Sequence, residues 1–348
     1  MKSVSKAVIA VVLSGLLAAA LFAGSASATG GAPVTATASA GCTAATNIEA
    51  IVDDSGSMEI TDPDKLRVQA MNLLIQTLPK STSLGAIQFG SGFEAIEGIT
   101  EAVPAASTLF PPEPIGPNAA TMSASLAANI NADNGATDYN AAFAKADADD
   151  PGSQARVFLT DGGHDVGPYT EAHLAHPVPT YVVGIGLVGS EEKALLKKIA
   201  SDTGGQVYLV ESAAEDQSAV NSIGAALTCQ TPPRSFTDEL SQGQSKTHTI
   251  TVGPKTHSLQ VTLTWAKPGD VFKLGGLRIK SHGKVIAVGR AKPTPKPKKL
   301  TLSTKAKSTT YTVFTVGHLR PGTLSFTVKA AKASGAVKVT TQVGGGGK

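Results

Sequence analysis

The feature that most constrains this chain is a change of hydrophobic period at Cys229. From Asn47 to Leu227, short apolar runs alternate with stretches in helical spacing. Residues 48–52, 84–89, 155–159, 180–185 and 206–210 read as strands, 155–159 and 180–185 as buried ones. Residues 64–78, with Leu66, Ala70, Leu73 and Leu74 on one face, read as a helix. So do 121–130, 138–148, 191–203 (closed by Gly204-Gly205) and 213–227. Strand–helix alternation predicts an α/β fold, a doubly wound and mostly parallel sheet with helices on both faces. Such a sheet binds ligands in the crevice at the carboxyl ends of its strands. Residues 95–99 are expected as an edge strand. The Pro- and Ala-rich stretch 101–118 is expected as a long loop, of a length that is often functional or disordered, and it could shape a partner-binding rim.

After Cys229, period-two alternation takes over. Leu259, Val261, Leu263 and Trp265 alternate with Gln260, Thr262 and Thr264. Leu324, Phe326 and Val328 follow the same rule, as do Val337, Val339 and Val343. Gly253-Pro254, Pro268-Gly269 and Pro321-Gly322 separate the runs. This predicts an all-β antiparallel sandwich over 230–343, with a stiff basic loop at 292–299 and a flexible tail at 344–348.

The N-terminus is organised differently. Lys2 and Lys6 precede an apolar run from Ala7 to Ala23, and Ala26-Ser27-Ala28 offers a cleavage site. Residues 1–28 therefore read as a signal peptide and 29–41 as a flexible leader, which implies a secreted, extracellular protein, free or held at the cell surface. Ser39-Ala40-Gly41-Cys42 looks like a lipoprotein acylation site, but its cysteine lies far beyond the apolar run. Outside the cell, an even cysteine count favours a disulfide. Cys42 and Cys229 bracket the whole first domain, 42–229, so one bridge would clamp its two ends. Closing so long a loop contributes at most about 4–5 kcal/mol.

Charge divides at the same point. Between Cys42 and Cys229 lie 8 basic and 24 acidic residues, a net charge of −16; after it lie 20 basic and 3 acidic residues, a net of +17. The two halves could dock on each other. Alternatively, the basic half could hold an anionic cell-wall polymer, or be a solvated surface with no dedicated ligand.

The chemistry concentrates where the first strand ends, in Asp53-Asp54-Ser55-Gly56-Ser57. Alternate residues of an extended loop point the same way, so the Asp53 carboxylate and the Ser55 and Ser57 hydroxyls can converge. These are hard oxygens, suited to Mg²⁺, Mn²⁺ or Ca²⁺ rather than to zinc or copper. Thr137, in Gly135-Ala136-Thr137-Asp138, precedes a helix, and Asp161 follows the strand that ends Phe158-Leu159-Thr160. Singly, each would pass for a cap or turn residue. Order, spacing and strand context make them a set.

With that set the chain resembles the von Willebrand factor type A family from about Thr46 to Leu227. The family's metal-ion-dependent adhesion site has an Asp-x-Ser-x-Ser loop, a later Thr and a later Asp, which fall here on Asp53, Ser55, Ser57, Thr137 and Asp161. The resemblance implies that the serines, and Thr137 in the ligand-engaged state, touch the metal, and that Asp53 and Asp161 bind directly or through water. It also implies an open position for an acidic side chain of a protein partner. Mg²⁺ is the expected ion. Neutral hydroxyl ligands leave it electron-poor, so an incoming carboxylate gains more. Asp138 is expected to start a helix, Asp54 to sit behind the site or be exposed, and His164 to be a surface residue. Through the stretches Leu240 to Val252 and Ser258 to Ala266, residues 234–286 resemble the small β-sandwich modules appended to bacterial secreted proteases, which implies an accessory or wall-association role.

Asp53, Ser55, Ser57 and Asp64 fit four positions of an EF-hand loop, but Met58 stands where that loop needs Gly. No Gly-x-Ser-x-Gly elbow, His-Glu-x-x-His or phosphate-loop pattern occurs, so the expectation is a non-enzymatic protein. The alternatives that remain are a structural or scaffold protein with a purely structural metal, and an accessory subunit of a secreted hydrolase.

Overall fold

The computed structural model describes residues 42–96, 99–186, 189–211, 215–287 and 299–345, without the side chains of 93–102. The signal peptide and leader lie outside the described residues, as does the basic loop up to residue 298. The described residues form one compact unit.

The first region runs β1 (Asn47–Asp53), α1 (Met58–Thr61), α2 (Leu66–Thr77), β2 (Ser83–Phe89), β3 (Phe93–Ile96), β4 (Ile99–Ala102), β5 (Ala106–Pro114) and α3 (Ile115–Asn129). It continues with α4 (Tyr139–Asp149), β6 (Ala155–Thr160), β7 (Thr180–Ile185), α5 (Ser190–Thr203), β8 (Val207–Val210) and α6 (Asp216–Leu227). Six strands make one sheet in the order β5-β2-β1-β6-β7-β8. All its pairs are parallel except β2 with β5.

Helices cover both faces because β1 is apolar on both. Ile48, Ala50 and Val52 join the core that includes Leu74 of α2, Leu126 of α3 and Ile223 of α6. Ile51, one residue out of phase, joins Phe143 of α4, Phe158 of β6 and Leu196 of α5 on the other side. The chain winds one way from β1 to β2 and the other way from β6 to β8. The switch point therefore lies between the carboxyl ends of β1 and β6.

Two expectations about the first region change. The edge strand expected at 95–99 is instead a hairpin of β3 and β4 in a sheet of their own. The loop expected at 101–118 holds β4, β5 and the start of α3. Pro111, Pro112 and Pro114 hid β5 from a propensity argument. An edge strand tolerates proline because one side needs no donors, and the β2–β5 register shifts at Ala86 absorb the irregularity.

The second region is antiparallel throughout. It contains β9 (Arg234–Leu240), β10 (Ser245–Val252), β11 (Ser258–Trp265), β12 (Val271–Ser281), β13 (Lys284–Ala287), β14 (Thr301–Lys307), β15 (Tyr311–Gly317), β16 (Gly322–Lys332) and β17 (Val337–Gly345). They form a four-stranded sheet, β10-β16-β12-β13, and a five-stranded one, β14-β15-β11-β17-β9. Leu263, Trp265, Phe272 and Phe326 lie in the shared core. Of the tail expected at 344–348, Gly344 and Gly345 belong to β17 instead, paired with Gln260 and Leu259, and residues 346–348 lie outside the described residues.

The two regions pack on each other through neutral groups. Leu73 of α2 meets Tyr311 and Val313. Gln217 donates to Thr310 Oγ1 at 2.9 Å, Asn221 to Gln342 Oε1 at 2.9 Å, and Gln342 to the Ser218 carbonyl at 2.9 Å. Lys338–Glu215, at 2.7 Å, is an exposed ion pair and adds little. The opposed net charges of the two halves are not what joins them at this contact. Cys42 and Cys229 form a disulfide with a Cα–Cα distance of 5.7 Å. Beside it, Ala45 N donates to the Leu227 carbonyl at 2.9 Å, so the two ends of the region meet.

Candidate functional site

The switch point gathers three loops. Asp53 ends β1, and its chain runs through Ser55 and Ser57 into α1. Val52 pairs with Leu159 across the β1–β6 boundary, so Asp53 lies beside Thr160, with Asp161 one residue beyond. The loop carrying Thr137 sits between α3 and α4 and is tied to both others. Gly56 N donates to the Gly135 carbonyl at 2.7 Å, Asn134 N to the Asp54 carbonyl at 3.0 Å, and Asp165 N to the Thr137 carbonyl at 3.1 Å.

The side chains converge accordingly. Ser55 N donates to Asp53 Oδ1 at 2.8 Å, and Thr160 Oγ1 to Asp53 Oδ2 at 2.5 Å. Ser55 Oγ and Ser57 Oγ are 3.1 Å apart, and Ser57 Oγ donates to Asp161 Oδ1 at 2.8 Å. Thr61 Oγ1 takes the other Asp161 oxygen. Gly162 fixes the place of Thr137. A Cβ on Gly162 would lie 3.2 Å from Thr137 Oγ1 and 3.9 Å from Ser57 Oγ, so both hydroxyls border one small space that a side chain there would fill. All five predicted residues therefore belong to one cluster. Asp53 and Ser55 are fully buried, Thr137 and Asp161 nearly so, and Ser57 is exposed at the rim.

Electrostatics suits this cluster to a cation. Burial raises the Asp53 carboxyl, the neighbouring Asp161 raises it further, and hydrogen bonds from Ser55 and Thr160 hold it down, to about 6. Two carboxylates and three hydroxyls around one space are a hard-oxygen set, which fits Mg²⁺, Mn²⁺ or Ca²⁺. Among the described residues no group of three or more His, Cys, Asp or Glu side chains gathers as a metal cluster, so the hydroxyls are what distinguish this centre.

Several supporting residues were not singled out in the sequence. Tyr139, fully buried at the start of α4, donates from its hydroxyl to the Gly162 carbonyl at 2.5 Å and so props the Asp161 turn. Thr137 N donates to Asp165 Oδ1 at 2.7 Å. Asp165 lies four residues past Asp161, inside the Gly163-His164-Asp165 segment, but nothing in the sequence says which backbone it meets. Asp138 caps α4 as expected, accepting from Ala141 N at 3.2 Å.

One expectation is met and one needs correction. Of the two places expected for Asp54, behind the site or exposed, the structure shows the first. Asp54 is fully buried behind the site, accepts from Asn131 N and Ala132 N at 2.7 Å each, and pairs with buried Arg67, which also pairs with Asp62. Its side chain points across the strand from Asp53, into the α2 side of the sheet. His164 is not a surface residue. Its side chain is 3% exposed, and Nδ1 accepts from Tyr139 N at 3.1 Å.

Among proteins of known structure, the chain is similar to a von Willebrand factor type A protein from Catenulispora acidiphila. That match has 14% identity and a TM-score of 0.42 and covers 88% of this chain and 60% of the other. It is also similar to proximal thread matrix protein 1 from the mussel byssus, with a zinc-occupied metal-ion-dependent adhesion site. There the identity is 16%, the TM-score 0.39, and the coverage 55% and 49%. The open conformation of the pilus adhesin SpaC from Lactobacillus rhamnosus GG matches at 12% identity and a TM-score of 0.40, covering 86% of this chain and 44% of the other. The chain thus spans between two fifths and three fifths of these structures, and likeness at this level carries no argument about function. No family model matches the chain, and no curated protein matches it.

Proposed function

We propose that this chain is a secreted, non-enzymatic binding protein of von Willebrand factor type A character. It holds a divalent cation, Mg²⁺ foremost, on Asp53, Ser55, Ser57, Thr137 and Asp161, and uses it to grip an acidic side chain of a protein partner. One observation carries this reading: oxygens from three separate loops converge at the sheet's switch point, and the centre is open at Ser57. A bound cation would supply a concentrated positive charge that attracts a carboxylate. The chain's own part is to hold the oxygens in place. Thr160 and Ser55 N orient Asp53, Tyr139 supports the turn that carries Asp161, and Asp165 fixes the Thr137 backbone. Ile60, 85% exposed three residues after Ser57, puts an apolar contact beside the centre, where a protein partner would bury it.

The test is a set of pull-downs from the medium and surface of the producing cell, with wild type in Mg²⁺, wild type in EDTA and Asp53→Ala side by side. Binding should fall at least 100-fold in the last two. Equal bound fractions in all three would remove the cation from recognition. The rival reading, a scaffold whose metal only stiffens it, predicts a loss of thermal stability in EDTA instead. Hydrogen bonds already close the three loops on one another, so the fold is expected to survive chelation.

A further inference from the structure

Where the two regions meet, away from the candidate metal centre, they leave a cleft of about 780 Å³. Its walls come from the end of α2 and the turn after it, the start of α3, α6, and the β11, β14, β15 and β17 strands. The first region carries 24 acidic residues, yet no Asp or Glu lines this cleft, and no aromatic side chain does. The charged residues that line it are Lys80 and Lys305, one from each region. The lysine ion pairs of the described residues belong to Lys145, Lys198 and Lys338, not to these two. Lys305 instead donates to Gln260 Oε1 at 3.3 Å. Thr262, a residue 1% exposed, is among the lining residues, and its buried hydroxyl has no hydrogen-bond partner. The rest of the polar lining is hydroxyl and amide, including Thr228, Gln230 and Thr315.

We propose that this cleft binds an anionic group carried on a hydroxylated scaffold, a phosphate- or carboxylate-bearing sugar or polyol, through Lys80 and Lys305. Two cations facing one opening without a counter-ion attract an anion to the place where they meet. Hydroxyl and amide groups share the walls with the apolar side chains of Ile75, Leu78, Ile115 and Pro233, a mixture that matches a ligand carrying both hydroxyls and C–H faces, as a sugar does. The missing aromatics disfavour ligands that bind by ring stacking. Lys305 lines the cleft from β14, and partial desolvation, with the like charge of Lys80 after it, lowers its pKa, a cost that a bound anion would relieve. The proposal does not depend on the metal reading.

Calorimetric titration of the full mature chain tests it, with glycerol 3-phosphate, glucuronate and neutral glycerol as probes. At least one charged probe should bind saturably, with a dissociation constant below about 1 mM, and at least tenfold more tightly than glycerol. Phosphate-only or carboxylate-only binding identifies the head group. Lys80→Gln and Lys305→Gln should each weaken binding about 5–10-fold, and together abolish it. Lys255→Gln, on an exposed turn of the same basic region, and EDTA should leave it unchanged. No saturable binding of either charged probe would overturn the proposal. So would an unaltered affinity in the double variant, or a loss of binding in EDTA.

Discussion

Two carboxylates on one face of the same strand make the most instructive comparison in the molecule. Asp53 and Glu49 are four residues apart on β1, pointing to the α4 side, and are 0% and 1% exposed. Asp53 receives a hydrogen bond on each oxygen and is raised to about 6. Glu49 has no hydrogen-bond partner on either oxygen and is raised to about 9. For Glu49, burial is the first cause, and Asp150 and Asp149 add to it against Arg156 and Lys145. Burial is nearly the same at the two positions. The difference lies in the donors, which arrive at the carboxyl end of the strand and not near its start. A β1 residue becomes a candidate ligand when the loops beyond the sheet edge bring it hydrogen bonds that keep it ionisable. Glu49, over Gly85 and without donors, stays a protonated core group at neutral pH.

Asp54 tests how much a full charge partner adds, and its loss gives the largest effect expected. Arg67 is fully buried between Asp54 and Asp62, at 3.3 and 2.9 Å. Arg67→Met leaves both carboxylates buried without their cation and should cost about 3–5 kcal/mol in chemical denaturation. A cost below about 1 kcal/mol would mean that the backbone donors alone satisfy Asp54, and the donor argument for Asp53 would then need no charge at all.

Glu49→Gln gives the next effect, of opposite sign. The folded pKa is raised, so the wild type is most stable below the unfolded value near 4.5 and loses stability as pH climbs towards about 9. The glutamine variant has no such loss. Its stability should match wild type below about pH 5 and exceed it by at least about 2 kcal/mol at pH 9, a floor set well under the full linkage effect of a rise from 4.5 to about 9. Denaturant midpoints at the two pH values measure the gap. A gap that stays constant with pH would mean that Glu49 is paired in solution.

How much of this was legible in the sequence follows from the range of each interaction. The doubly wound sheet, the sandwich and the five oxygens were legible because strand period, loop spacing and residue order are local properties. β5 was not, because its prolines argue against a strand unless the chain is known to run along an edge. The burial of Asp54 and His164, the Tyr139 prop and the Asp165 contact all depend on partners tens of residues away, such as Tyr139 with Gly162, and no pattern along the chain announces them. The junction cleft is the extreme case, since Lys80 and Lys305 come from different regions and their surroundings meet through contacts far apart in sequence, such as Leu73 with Tyr311 and Asn221 with Gln342.

Asp138 supplies the opposite limit, a carboxylate with a donor but little burial. It sits half-buried at the start of α4 and accepts from Ala141 N at 3.2 Å. The helix needs an oxygen there because its first backbone N–H groups have no carbonyl partner within the helix. An amide oxygen meets that need as well as a carboxylate does. Asp138→Ala should therefore cost about 1 kcal/mol, and Asp138→Asn close to nothing. Thermal unfolding of both variants, compared in EDTA to keep the neighbouring Thr137 out of the result, separates the hydrogen bond from the charge. If the asparagine variant loses as much as the alanine one, the charge is what stabilises this end of the helix, and the donors at Asp53 would have to share their role with the local field.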